Sequence, residues 1–303
     1  MVLQFLTAMG NISTMSTLRA DVYVAPQISF KKPDGKPGGF WSPISCTLIH
    51  GDNEAILVDT PITDAQTKDL ADWMEKILNG RKRLTTIYIT HGHGDHWFGI
   101  PYLMKRFPGV EAVATPAVII HMKDQIEPKK FKSSWSSQFP GEINENFQVA
   151  KPLPTSSNIF LEDRVLHVVE VGQADTHDST ILWVPDLKLA VCGDVVYGDV
   201  HQMLAEANTK EKRAAWIASI RKVEALKPEM VVPGHKRASE IDGTFHLTET
   251  RKYIETFEEL LEGGAKDARE LTKLMLERYP TRCNRSALIM GCINAFKGSS
   301  NKL

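Results

Sequence analysis

The chain has 303 residues, a formal net charge of -1, and 42% hydrophobic against 24% charged residues. That balance supports a substantial core in one large or two ordinary domains, and gives no electrostatic reason to expect nucleic acid or an anionic membrane as partner. No apolar run approaches the roughly 20 residues that cross a bilayer, and four cysteines without a CxxC pair read as free thiols of a reducing compartment.

Residues 1–20 carry a short apolar patch with no basic segment ahead of it. They read as the flexible tail of a cytoplasmic protein, with a single domain over 21–303. Strand signals follow in DVYVAPQISF (21–30), ISCTLIHG (44–51) and EAILVDT (54–60), all rich in β-branched residues. Between the first two, KKPDGKPGGFW (31–41) is rich in Gly and Pro, ends in Phe40 and Trp41, and reads as a mobile hairpin tip. Leu70, Trp73, Met74, Ile77 and Leu78 then share one helical face, which Gly80 ends. A buried strand at 87–89 comes next, then a helix over 100–107, a strand over 111–115 and a helix through Ile119 and Ile120.

From 127 to 158 the pattern dissolves, yet Phe131, Trp135, Phe139 and Phe147 remain. A connection this long is either a lid over a site or a surface insertion whose aromatics pack on the body. The second half repeats the alternation, with strands at 165–171, 180–184 and 187–192. A helix carries Trp216, Ile217, Ile220 and Val223, a strand covers 230–232, and a closing helix aligns Tyr253, Phe257, Leu260 and Leu261. Strands open each half and helices close it. The pattern predicts two packed sheets with helices outside, an α/β fold.

The chemistry concentrates where the 87–89 strand stops, in Thr90-His91-Gly92-His93-Gly94-Asp95-His96-Trp97. Three of the chain's 10 histidines and an aspartate fall within six positions, separated by glycines that let the backbone turn tightly. Imidazole nitrogens and a carboxylate suit zinc, and also iron or manganese. The alternative is a chance cluster of surface histidines, which a lone histidine would favour and this spacing does not.

THGHGDH resembles the HxHxDH signature of the metallo-β-lactamase superfamily, whose fold is a four-layered αββα sandwich. Later features occur in the order that resemblance requires. Asp59, after EAILV, resembles the strand-end aspartate that buttresses the metal loop. Asp194 in Cys192-Gly193-Asp194 resembles the aspartate that bridges two metals, and His235 in Val232-Pro233-Gly234-His235 the last ligand. The resemblance covers roughly 21–237. It implies one metal on His91 and His93, a second on Asp95, His96 and His235, and Asp194 between them. A pair of zinc ions, with iron or manganese as alternatives, lowers the pKa of a shared water toward neutrality and polarises a carbonyl.

One position departs from the family pattern, since Gln173 stands where a Gly-His-Thr turn supplies a histidine to the first metal. The first site is then weaker, completed by His177, or suited to a harder metal; His177 reads first as a solvated residue near the ligands. Tyr197, three residues after Asp194, is either an oxyanion donor by analogy with lactonases of this fold or a ring packed under the loop. His201 reads first as a surface histidine or one near the ligands, sharing a face with Tyr197 if that segment is helical, and Trp41 and His201 could contact substrate. Cys192 reads as packing.

The resemblance implies a metal-dependent hydrolase that opens a small cyclic ester or amide, with Asp95 and Tyr197 in catalytic roles. Detoxification of benzoxazolinone-type compounds is an analogy to members of similar appearance. The rival is a mononuclear-iron dioxygenase on the same fold, using His91, His93 and Asp194. A nuclease ranks last, because no basic cluster lies near the motifs.

Overall fold

The computed structural model describes residues 17–154 and 157–300. The first 16 residues of the expected tail lie outside these. In chain order, β1 (Arg19–Ala25), β2 (Ile28–Lys31), β3 (Pro37–Trp41), β4 (Ile44–His50) and β5 (Glu54–Val58) lead into α1 (Asp64–Leu78). Next come β6 (Arg83–Tyr88), α2 (Ile100–Arg106), β7 (Glu111–Ala114), α3 (Pro116–Gln125), α4 (Pro128–Phe131) and β8 (Lys151–Pro152). The second half holds β9 (Asn158–Leu161), β10 (Arg164–Gly172), β11 (Ser179–Val184), β12 (Leu189–Val191), α5 (Lys210–Ala225), β13 (Met230–Val232), α6 (Phe245–Glu262), α7 (Ala268–Arg278) and α8 (Arg285–Ser300).

One sheet runs β1-β4-β5-β6-β7-β8 and the other β13-β12-β11-β10-β9. Between them lies a shared apolar layer that includes Ile49, Ile56, Tyr88, Leu166, Leu182 and Val191. On the outer face of the first sheet, Leu57 and Ile87 pack with Leu70, Met74 and Val118 from helices. Ile181, Ala190 and Val231 do the same with Trp216, Tyr253 and Phe257 on the second sheet. Each sheet buries both faces, and the result is the expected αββα sandwich.

Two local readings change. DVYVAPQISF is not one strand, because the chain breaks at Pro26-Gln27. β1 then pairs antiparallel with β4, while β2 pairs with β3 in a separate ribbon. Proline has no N–H to give a ladder, so the switch of partner falls there. The 127–158 segment is also not structureless. After α4 it makes a π-helical turn, Lys132–Ser136. Phe131, Trp135 and Phe139 are buried by it, with ring contacts from Trp135 to Phe98 and to Trp41. Its aromatics pack on the body and also reach the ribbon.

Candidate metal centre

The cluster forms where strands of both sheets end. Asp59 follows β5, the His91–His96 run follows β6, Asp194 follows β12 and His235 follows β13. The connection after β13 can approach closely only because residue 234 is glycine; a Cβ there would overlap the Asp194 carboxylate. Asp59, at φ 61, turns its side chain under the metal-motif loop. It accepts from the Thr90 backbone N–H at 2.9 Å and the Thr90 hydroxyl at 2.8 Å, and faces His96 Nδ1 at 3.0 Å.

These contacts fix tautomers. A carboxylate and a carbonyl oxygen accept, so His96 Nδ1 gives its proton to Asp59, and His235 Nδ1 gives its own to the Pro43 carbonyl oxygen at 2.7 Å. In the neutral rings both Nε2 atoms are then lone pairs, yet they face each other at 3.3 Å. Asp194 Oδ1 lies 3.2 Å from His96 Nε2, and its Oδ2 lies 3.2 Å from His235 Nε2. Asp95 Oδ2 is 3.5 Å from His235 Nε2. Acceptors this close repel unless protons or a cation sit among them. Ligand atoms around a tetrahedral zinc are about 3.3 Å apart, given bonds of about 2.0–2.1 Å. Asp95, His96 and His235 meet that requirement, with one ligand atom each inside a 4.8 Å span.

The electrostatics agree. Burial alone would push His96 down, but the Asp194 and Asp95 carboxylates outweigh it and hold the imidazole well above its ordinary value. Burial would raise Asp194, and the His235 and His96 rings instead hold it well below the usual carboxylate range. The pocket attracts positive charge.

The other half contains His91 and His93. His91 Nε2 is buried without a hydrogen-bond partner, 4.0 Å from Asp194 Oδ2. Burial, reinforced by the neighbouring His96, pushes His91 well down, so it stays neutral. The amide nitrogen of Gln173 donates to the Ala174 carbonyl oxygen at 2.9 Å. His177 is exposed, with Nδ1 2.7 Å from Asp178 and its ring stacked on His121. The side chain brought beside His93 is Asp175, whose Oδ2 lies 2.9 Å from Nδ1. Sequence reasoning missed it, and missed Glu206, 3.3 Å from His93 Nε2. The only signal was an acidic residue two positions from the anomalous glutamine.

Tyr197 is buried, and its hydroxyl donates to Asp194 Oδ2 at 2.6 Å. Burial and then the Asp194 charge push its pKa well up, so the proton stays on. The indole N–H of Trp41 donates to Asp95 Oδ2 at 2.9 Å. Trp41 is also a wall of a cavity of about 720 Å³ lined by Phe30, Phe40, Met203, Ile289 and Met290 among others. His201 is neither helical nor at the cluster. It is fully buried, with Nδ1 2.9 Å from the Tyr253 hydroxyl in the helix layer.

An αββα sandwich with a His/Asp cluster at the strand ends defines a class of metal-binding α/β proteins. The family profile described as the metallo-beta-lactamase superfamily matches residues 39–235, and the chain belongs to that superfamily. It is 24% identical over 217 residues to a type 2 metallo-beta-lactamase of Bacteroides fragilis, covering 71% of this chain and 76% of that one. The type 2 enzyme of Bacillus cereus is 24% identical over 233 residues, covering 75% and 77%. In fold, a metallo-beta-lactamase from Pontibacter korlensis superposes with a TM-score of 0.54 at 19% identity, covering 79% of this chain and 99% of that one. The metallo-beta-lactamase FIM-1 from Pseudomonas aeruginosa in its mono-zinc form superposes at 0.54 and 16% identity, covering 80% and 95%. Among the described residues no helix is long and apolar enough to cross a membrane.

Proposed function

We propose that the chain hydrolyses a small cyclic amide or ester, a lactam or lactone, at a metal centre that includes His91, His93, Asp95, His96, Asp194 and His235. The observation that carries this is the His96–His235 pair, two ring nitrogens 3.3 Å apart between two carboxylates. Divalent ions bound there, zinc first and iron or manganese as alternatives, would supply an activated water and polarise the substrate carbonyl.

The chain's own groups account for the rest. Asp95 is held by the Trp41 N–H and lies beside His235, where its carboxylate can carry a proton toward the leaving oxygen or nitrogen. Tyr197 steadies Asp194, and its hydroxyl is within reach of turning onto a developing oxyanion. The cavity beyond Trp41, which meets the candidate centre through that residue, combines aromatic and aliphatic walls with Lys31, Lys32, Arg282 and Arg285 and no acidic side chain, which fits a small ring, uncharged or anionic. A benzoxazolinone-type compound answers that description, and detoxification is the role it would imply. Four free cysteines, three of them buried, fit a cytoplasmic setting.

Iron and oxygen chemistry is the second reading, and one observation favours it. Asp175 beside His93 gives the first half a carboxylate-rich set. A panel of lactones and lactams, run with and without oxygen and after chelation, separates the two. Ring opening that proceeds without oxygen, stops on chelation and returns with zinc supports hydrolysis. Turnover that needs iron and oxygen, with no ring opened, moves the assignment to the dioxygenase.

A further inference from the structure

We infer that Asp175 is a ligand of the first metal, taking the place that Gln173 leaves. The inference rests on the metal-centre reading above. The local chain brings the carboxylate inward. Gly172, at φ 101, turns the backbone out of β10, and the Ala174 N–H donates to the Thr176 carbonyl oxygen at 2.7 Å to close a tight loop. Asp175 is fully buried by that loop. Its Oδ1 accepts from the Thr176 N–H at 2.7 Å, while Oδ2 has no aligned hydrogen-bond partner although His93 Nδ1 is 2.9 Å away.

The hydrogen bonds around the histidines explain that misalignment. Glu206 accepts from the Thr176 hydroxyl through Oε2 at 2.6 Å, and its Oε1 faces His93 Nε2 at 3.3 Å. A neutral His93 therefore carries its proton on Nε2, toward Glu206, and Nδ1 is a lone pair close to the Asp175 carboxylate. The Thr90 hydroxyl gives its proton to Asp59, so it accepts from His91 Nδ1 at 3.0 Å. That leaves His91 Nε2 as a second buried lone pair without a partner, and the nearer oxygen of Asp194, Oδ2, lies 4.0 Å from it. His91, His93, Asp175 and Asp194 each offer one ligand atom, all within 4.8 Å of one another. Two imidazoles and two carboxylates complete a four-donor set.

His121, also close to His93, does not belong to that set. The Trp135 N–H occupies Gln125 Oε1 at 2.9 Å, so Gln125 Nε2 is the atom that faces His121 Nε2, and it donates across 3.0 Å. The His121 proton then sits on Nδ1, which has no hydrogen-bond partner, and neither nitrogen offers a lone pair to a metal in this arrangement. Asp175 remains as the replacement for the missing imidazole. An oxygen in that place makes the first site harder and more anionic, which moves its preference from zinc toward manganese or ferrous iron. The rival arrangement is metal-free, an imidazolium of His93 held between Asp175 and Glu206.

Metal content and affinity, measured by elemental analysis and chelator competition with zinc and manganese, distinguish the two. Asp175→Asn should drop the wild-type content from about two ions per chain to about one, the retained ion reporting an intact second half. Asp175→His should keep both ions and raise the zinc-to-manganese affinity ratio of the first site at least about tenfold. Glu206→Ala should weaken only the first ion, by about 10–100-fold, because His93 loses its orienting acceptor. Gln173→Ala should change nothing. Both ions retained at unchanged affinity in Asp175→Asn would overturn the inference in favour of the ion triad, and an ion lost in Gln173→Ala would return the role to the glutamine. If Asp175→Asn does not fold, Asp175→His decides by the same ratio, an unchanged preference counting against the inference. Wild-type protein that binds no metal at all would instead overturn the centre itself.

Discussion

His96 and His201 are equally buried, and their surroundings drive them in opposite directions. Around His96 converge Asp59, Asp95 and Asp194, and the ring is held well above its ordinary value against the pull of burial. His201 has the Tyr253 hydroxyl as its partner, and burial with the nearby Arg282 and Arg285 charges pushes it down to about 4. Burial by itself yields a neutral imidazole that behaves as core. Burial among carboxylates yields a cavity that demands a cation. The residue type and the exposure are the same in both places, so the sign of the neighbours is what marks the site.

The largest effects should come from breaking the carboxylate side of this contrast. His96→Ala or Asp95→Ala removes a donor from the group completed by His235, and should strip the ion there and take hydrolysis to background while the circular dichroism spectrum is kept. Full metal content and turnover in either variant would mean the convergence has no functional meaning. Asp59→Asn keeps a residue tolerant of φ 61 but spoils an acceptor shared by Thr90 and His96. It should cost about 10–100-fold in metal affinity, read by chelator competition, and more on the His96 side than on the His91 side.

Most of that contrast was legible in sequence, because strand-end positions are local. A buried β-branched strand followed by THGHGDH, and short strands ahead of Asp194 and His235, gave the sandwich and six candidate ligands. The parts that escaped depend on distant chain. The Pro43 carbonyl oxygen that fixes the His235 tautomer is 192 positions away, and Glu206 is 113 from His93. Asp175 lies in a loop whose inward turn follows from Gly172 and the folded-back Gln173 amide, neither of which has a periodic signature. The π-helical turn in the 127–158 segment escaped for a related reason, since it is held by Trp41, Phe98 and Gln125. His201 failed in the opposite way. It was expected at the surface or near the ligands, and the core took it.

Intermediate effects should follow from donors that hold the carboxylates. Tyr197→Phe removes a buried hydrogen bond to Asp194, of a kind that contributes about 1.5–3 kcal/mol. A fall in kcat of about 10–100-fold is expected. If metal affinity falls with it, the hydroxyl serves Asp194; if kcat falls alone at constant KM and metal content, it serves the oxyanion. Trp41→Phe keeps an aromatic ring against Phe30, Trp135 and Phe139 and loses only the N–H on Asp95. It should cost about tenfold in kcat/KM, with little change in thermal stability.

The smallest effect concerns His201 and appears only as a pH dependence of stability in chelator-treated protein. With its folded value at about 4 against about 6.5 unfolded, His201 is neutral in the fold across that interval while the unfolded chain takes up a proton. Its contribution is therefore complete above about pH 6.5, declines as pH falls, and is gone below about 4. The sign at His96 is reversed, because a raised folded value stabilises at low pH and that stability is lost as pH rises through it. His201→Asn keeps an acceptor for the Tyr253 hydroxyl and removes the titration. Urea unfolding at pH 7 and 4.5 should show the variant losing about 2–3 kcal/mol less than wild type over that interval. Equal losses would mean that His201 protonates inside the fold as easily as outside it. Burial without carboxylates would then not be what keeps a histidine neutral here, and the contrast with His96 would rest on the carboxylates alone.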